Sequence, residues 1–126
     1  MFKHTIDKDL ELRLPLAKYA ESLFALTESN RSYLSEWLPW LPHVKAVKDS
    51  EAFLKDCLVK FANGELLTAL IFYKSELVGA CGYNSIDTVN GVGQSGYLLS
   101  EKSTGKGIMT RSVQALIQIG REDYGF

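Results

Sequence analysis

Cysteine and histidine are scarce in this chain: Cys57 and Cys81 are the two thiols, His4 and His43 the two imidazoles. The thiols are far apart and have no Cys or His at metal-ligand spacing, so neither a zinc module nor a disulfide scaffold is legible, and both are expected to be core thiols. Neither histidine has a Ser, Cys or Asp at the spacing of a nucleophile triad, and both are read as surface or packing residues. Excess charge of one sign is also lacking. Fourteen basic and 15 acidic residues give a net charge of −1, and the basic ones are scattered, so no electrostatic footprint for nucleic acid is present. No apolar run nears the roughly 18 residues of a membrane span, and no charged-then-apolar leader opens the chain, so a cytoplasmic location is expected. The sequon Asn30-Arg31-Ser32 is then a chance match.

What the chain does have is apolar content, 46% of 126 residues. That is enough for one core without staples, and it predicts a single domain over residues 1–126. Leu10, Leu12 and Leu14 alternate with Glu11 and Arg13, which predicts a strand that Pro15 ends. Apolar spacing from Leu16 predicts a helix to about Ser29, with Asn30 capping a short second helix that runs to Trp37. The segment Trp37-Leu38-Pro39-Trp40-Leu41-Pro42-His43 is a stiff loop carrying two indoles, either a plug that seals the core or a lid. Glu51 is expected in the first turn of the next helix, whose stripe is Phe53, Leu54, Cys57, Leu58 and Phe61 and whose end is Asn63-Gly64. Residues 66–73 are apolar on both faces and predict a central strand. Lys74-Ser75-Glu76 turns the chain into an antiparallel partner over residues 77–84, where Gly79, Ala80 and Gly82 are expected to leave room for packed helices or a ligand. Asn90-Gly91 is a turn signal delivering a further strand.

That strand opens the most informative stretch, Gly-Tyr-Leu-Leu-Ser-Glu-Lys-Ser-Thr-Gly-Lys-Gly-Ile-Met-Thr-Arg over residues 96–111. Tyr97, Leu98 and Leu99 read as its end, and Met109, Val113, Leu116, Ile117, Gly120 and Tyr124 as one face of a helix. Between them Gly105 and Gly107 bracket Lys106 where the helix begins. First-turn amides there have no helical acceptor and lie at the positive end of the helix dipole, a geometry suited to a pyrophosphate. The alternative is that the glycines only make a tight turn. Two phosphate motifs fail: a Walker loop needs Ser or Thr where Gly107 stands, and a dinucleotide loop needs a third glycine where Thr110 stands. Glu101 and Lys102, just past the strand, are read as solvated loop charges.

A third pattern matches. Thr104-Gly105-Lys106-Gly107-Ile108-Met109 resembles the acetyl-CoA loop of the GNAT superfamily of N-acetyltransferases, Gln/Arg-x-x-Gly-x-Gly/Ala after a strand and opening a helix. Gly107 is kept, whereas Thr104 replaces the Gln/Arg and Met109 the Gly/Ala. Together with Gly96-Tyr97-x-Leu99, Thr110, Asn30-Arg31 and Trp37-Leu38-Pro39-Trp40, the chain is similar to the branch that acetylates N-terminal amines of ribosomal proteins.

The resemblance implies an α+β fold, a mostly antiparallel central sheet flanked by helices, with this chain covering the N-terminal two-thirds and lacking the family's C-terminal strands. It implies that acetyl-CoA is the cosubstrate, held by Tyr97, Leu98, Leu99, Gly105, Lys106, Gly107, Ile108, Met109 and Thr110, with no metal. Trp37 and Trp40 would border the acceptor amine, which the resemblance implies to be a ribosomal-protein N-terminus. The general acid and base of the family usually lie in the part not covered, so no catalytic side chain is assigned. With those strands missing, the strand ending at Leu99 would keep an exposed edge, which predicts either that these residues are a fragment of a longer gene product or that the chain forms a homo-oligomer through that edge. The competing expectation is a catalytically silent module that binds CoA or only a protein partner.

Overall fold

The computed structural model describes residues 3–34, 44–87 and 92–124. Five strands form one antiparallel sheet in chain order: β1 (Lys3–Thr5), β2 (Leu10–Arg13), β3 (Leu67–Tyr73), β4 (Glu76–Asp87) and β5 (Val92–Leu99). The helices are α1 (Ala20–Ser29), α2 (Arg31–Leu34), α3 (Val47–Ala62) and α4 (Ile108–Tyr124), with single 3-10 turns at Ala17–Tyr19 and Glu101–Ser103. None of the described helices is long and apolar enough to cross a membrane.

The central strand explains the layers. Along β3 successive side chains point to opposite faces, and both faces are buried. Leu67, Ala69 and Ile71 join Leu10, Leu12, Cys81, Tyr83 and Leu99 under Ile108, Ala115, Leu116 and Ile119 of α4. Leu70 and Phe72 join Leu77 under Ala20, Leu23 and Leu26 of α1 and Leu54 of α3. Tyr83 fixes α4 to the sheet, its hydroxyl donating to the Leu116 carbonyl at 2.7 Å.

Several expectations are corrected. Strand β1, missed in the sequence because it is only three residues long, pairs with β2 and sets His4 opposite Leu12. Glu11 and Arg13 are only partly exposed: Arg13 pairs with Glu11 and lays its guanidinium over the Phe72 ring, 4.0 Å from the centroid. Helix α3 begins at Val47, which puts Glu51 beyond its first four residues. Its first-turn acid is therefore Asp49, not Glu51, and the Asp49 carboxylate accepts from the amides of Lys45 and Ala46 at 2.9 and 3.0 Å. Its buried stripe is Ser50, Leu54 and Cys57, while Phe53 is exposed. The other end is as expected, with Gly64 at φ 76°. There Gly64 N–H meets Phe61 O and Glu65 N–H meets Lys60 O, the paired bonds of a left-handed helix stop.

The face of α4 is rotated from the expected one. Ile108, Ser112, Ala115, Leu116 and Ile119 are buried, and Ile117 is 47% exposed. Ile108 is the first residue of the helix, and Ser112 and Ala115 are small enough to lie against a sheet.

The bare face expected at Gly79 and Gly82 is not open space. A Cβ on Gly82 would lie 1.9 Å from the Leu67 carbonyl oxygen, and one on Gly79 would lie 2.3 Å from that of Leu98. Neighbouring strands fill the room with their own backbone. The β3–β4 turn is shorter than expected: Lys74 and Ser75, with φ of 51° and 66°, make it alone, and Glu76 already pairs with Tyr73. The Asn90-Gly91 turn and the Trp37/Trp40 loop lie outside the described residues.

Candidate functional site

The two ends of the candidate stretch are set by different forces. At the strand end, Ser100 N–H donates to Val78 O at 2.7 Å and Leu99 stands opposite Gly79. Bonded and non-bonded positions alternate along an antiparallel pair. Leu99 and Tyr97 therefore take non-bonded positions, and their main-chain groups face the far edge of β5, where no strand pairs among the described residues. Leu98 packs toward α1 and Leu99 toward α4.

Between strand and helix the chain makes one 3-10 turn with a polar interior. The Ser100 hydroxyl donates to that of Ser103 at 2.8 Å, and both residues are buried. Thr104, at the position where the resemblance calls for Gln or Arg, donates its hydroxyl to Glu101 O at 2.7 Å. That hydroxyl closes the turn.

The glycine loop follows. Gly105 and Gly107 have φ of 79° and 74°, the left-handed region that an L side chain enters at a cost. No heavy atom lies within 4 Å of a Cβ built on either, so the space before them is open. The first amide of the helix to find an acceptor is that of Arg111, which donates to Gly107 O at 3.1 Å. The four amides of residues 107–110 have no acceptor among the described residues. Lys106 and Thr110 are exposed, Ile108 is 1% exposed and seated in the core, and Met109 packs against the same core. Ile108 and Met109 thus offer only main chain to a ligand.

The structure brings the nine residues predicted for acetyl-CoA together around one loop and strand end. Trp37 and Trp40 lie outside the described residues. The side chain of Asn30, expected as a helix cap, ties α1 to the site: its Nδ2 donates to Leu26 O at 2.9 Å and its Oδ1 accepts from Glu101 N–H at 3.0 Å. Sequence reasoning also missed Asp7 and Arg111, whose ion pair joins the β1–β2 hairpin to the first turn of α4. A signal was available, since helix stability alone would favour an acid, not an arginine, in a first turn. A cavity of about 820 Å³ borders Leu26, Asn30, Phe72, Leu77 and Glu101 on the α1 face. Its lining includes none of residues 105–110. Among the described residues no group of three or more His, Cys, Asp or Glu is placed to hold a metal.

The family model for the acetyltransferase (GNAT) domain matches residues 9–126. The chain belongs to this family. It is 28% identical over 112 residues to the ribosomal-protein-serine acetyltransferase of Escherichia coli K12, covering 89% of this chain and 63% of that one. Among solved structures it is similar to the microcin C7 self-immunity acetyltransferase MccE in complex with acetyl-CoA and AMP. That match has 31% identity and a TM-score of 0.89, over 95% of this chain and 66% of the other. The ribosomal L7/L12 alpha-N-protein acetyltransferase RimL, in complex with coenzyme A, matches at 28% identity and a TM-score of 0.86, over 90% of this chain and 64% of its own. The chain thus spans 63 to 66% of the length of these GNAT relatives, and the antiparallel sheet with flanking helices is theirs.

Proposed function

We propose that this chain carries the acetyl-CoA site of an N-acetyltransferase that acts on a primary amine, and that the acceptor is a protein N-terminal α-amine of the ribosomal-protein type. The observation that carries the proposal is the run of four amides without acceptors among the described residues, residues 107–110, at the front of the 17-residue helix α4. Left-handed glycines leave the approach to it open. A diphosphate bridges such amides, gains from the helix dipole and draws on the mobile charge of Lys106. The acceptor class rests on the resemblance to enzymes named for ribosomal-protein acetylation.

Each part of the stretch then has a task. The outward main chain of Tyr97 and Leu99 holds the amide-bearing pantetheine arm as a strand would be held. The Leu99 N–H is an oxyanion-type donor toward a carbonyl lying on that edge, a role that needs no side chain. Acetyl-CoA supplies an activated acyl group. An α-amine with a pKa near 8 is already neutral in about a tenth of molecules at pH 7, so orienting it matters more than deprotonating it. Trp37 and Trp40 are proposed, on the resemblance, to border the acceptor. A cytoplasmic location and self-association through the β5 edge complete the proposal; sedimentation as a monomer at micromolar concentration would refute the association.

The test is calorimetric titration with CoA, followed by thiol release from acetyl-CoA in the presence of an alanine- or serine-ended peptide. Gly107→Val sets a branched side chain against the phosphates and is expected to abolish CoA binding. Unchanged affinity in that variant rejects the site. Binding without thiol release supports the silent module instead.

A further inference from the structure

The Arg111 side chain folds back over the loop it follows. Its Nε donates to Gly107 O at 3.2 Å, its Nη2 to Lys106 O at 3.5 Å, and its Nη1 pairs with Asp7 Oδ2. A trans peptide points its N–H opposite to its C=O. Drawing the Lys106 and Gly107 carbonyls toward the guanidinium therefore turns the Gly107 and Ile108 amides the other way. Those are two of the four amides without acceptors among the described residues.

Helix stability does not account for this arrangement. A cation in a first turn opposes the helix dipole, and the first turn of α4 contains no acid to offset it. The compensating charge comes from another element. Asp7 is held by the amides of Asp9 and Leu10, both at 2.9 Å, and the hairpin that carries it is tied to the sheet by Lys74 N–H on Asp9 O at 2.7 Å. Leu10 and Leu12, next along β2, are fully buried. Asp7 is thus a fixed post, and Arg111 is braced between it and the two loop carbonyls.

We infer that Asp7 and Arg111 are a positioning pair for the anion cradle, so that the β1–β2 hairpin sets the affinity for the diphosphate of CoA. The inference rests on the CoA reading of residues 105–110. Both side chains are 36% exposed, and half-exposed ion pairs add little to global stability. Removing the pair should therefore loosen the cradle without unfolding the protein.

Calorimetry with CoA and thermal unfolding on the same samples test it. Asp7→Asn and Arg111→Met are each expected to weaken CoA binding about tenfold, the scale at which a neighbour modulates a site it does not touch. Their melting temperatures should stay within about 4 °C of the parent. The double variant should lose little more than either single one, because the two residues act as a unit. Asp7→Glu keeps the carboxylate and should recover most of the affinity. Arg111→Lys keeps the charge but not the fork on two carbonyls, and should stay weak; full affinity in that variant would show that charge alone matters and overturn the positioning role. If the parent binds CoA and the double variant binds it equally well, the inference fails while the CoA reading stands. If the parent does not bind CoA, both fail.

Discussion

The Asn30 side-chain oxygen accepts the backbone N–H of Glu101 at 3.0 Å, across 71 residues of sequence. Its amide nitrogen donates to the Leu26 carbonyl of α1 at 2.9 Å, and the residue is 9% exposed. One side chain thereby satisfies a helix end and the entry to the turn that leads into the glycine loop. Losing both bonds leaves the buried Leu26 carbonyl and the partly buried Glu101 N–H short of a partner. Asn30→Ala is expected to cost about 2 kcal/mol in urea unfolding, at about 1 kcal/mol per net bond. Asn30→Asp should cost at least as much, because its carboxylate faces the Leu26 carbonyl. A loss below about 0.5 kcal/mol in both variants, the size of an ordinary surface change, would show that the bridge is dispensable.

Gly82 and Gly107 call for opposite outcomes from the same substitution. At Gly82 a Cβ would sit 1.9 Å from the Leu67 carbonyl oxygen and 3.0 Å from the Thr68 Cα, and backbone in a central strand has nowhere to go. Gly82→Ala is expected to cost more than about 3 kcal/mol, beyond ordinary overpacking, seen as loss of soluble protein or of a cooperative melt. At Gly107 a Cβ meets no heavy atom within 4 Å, and the penalty is the left-handed φ alone, about 1 to 2 kcal/mol. Gly107→Ala should fold, and a Gly82→Ala protein as stable as Gly107→Ala would contradict the strand packing.

The same two glycines show what could be read without coordinates. Gly105 and Gly107 were legible because their role is local: a strand signal before them and a helical repeat after them fix where a turn must fall. The two-sided apolar run of β3 was legible for the same reason. Gly79 and Gly82 were misread because composition alone does not say whether an absent side chain leaves a void or admits a neighbouring strand. Asn30 on Glu101 and Asp7 on Arg111 are pairings across 71 and 104 residues. Nothing in the spacing of either residue announces its partner. The face of α4 was misjudged on Ser112 and Ala115, whose burial is set by contact with the sheet and not by their own hydrophobicity.

Acid should unfold the protein through identifiable carboxylates. The Asp9 amide first, then the Leu10 amide and Arg111, hold Asp7 below the usual carboxylate range against an opposing desolvation. Arg13 does the same for Glu11, and the Lys45 and Ala46 amides for Asp49. Each folded-state pKa lies below its unfolded value, so the unfolded state binds protons first as pH falls. The stabilisation is present above the ordinary carboxylate values and is lost on descending through the folded ones. The urea midpoint should be flat from pH 7 to about pH 5 and fall below about pH 4. Asp49→Asn should lower it at neutral pH and make the acid fall shallower. A midpoint that held level down to pH 3 would mean that these carboxylates are not linked to folding.

Thiol chemistry separates the two cysteines and bears on the reaction. Burial pushes the Cys81 thiol up to about 12, and burial also raises Cys57, against a hydrogen bond with Thr68 that pulls it down. Only the thiolate attacks disulfide reagents or alkylators, and both side chains are closed off, at 2% and 4% exposure. Cys81 lies on the inner strand β4 beneath α4, so freeing it takes that helix off the main core, whereas Cys57 is freed when α3 lifts away. Native protein at pH 8 should therefore label slowly, Cys57 before Cys81, with Cys81 labelling at the global unfolding rate as urea is added. Thiols so placed do not take up an acyl group. Brief treatment with iodoacetamide should leave CoA affinity intact, because the cradle is built from main-chain amides. Rapid labelling of Cys81 without denaturant, or loss of CoA binding on alkylation of native protein, would place a thiol at the site and require a different account of the transfer.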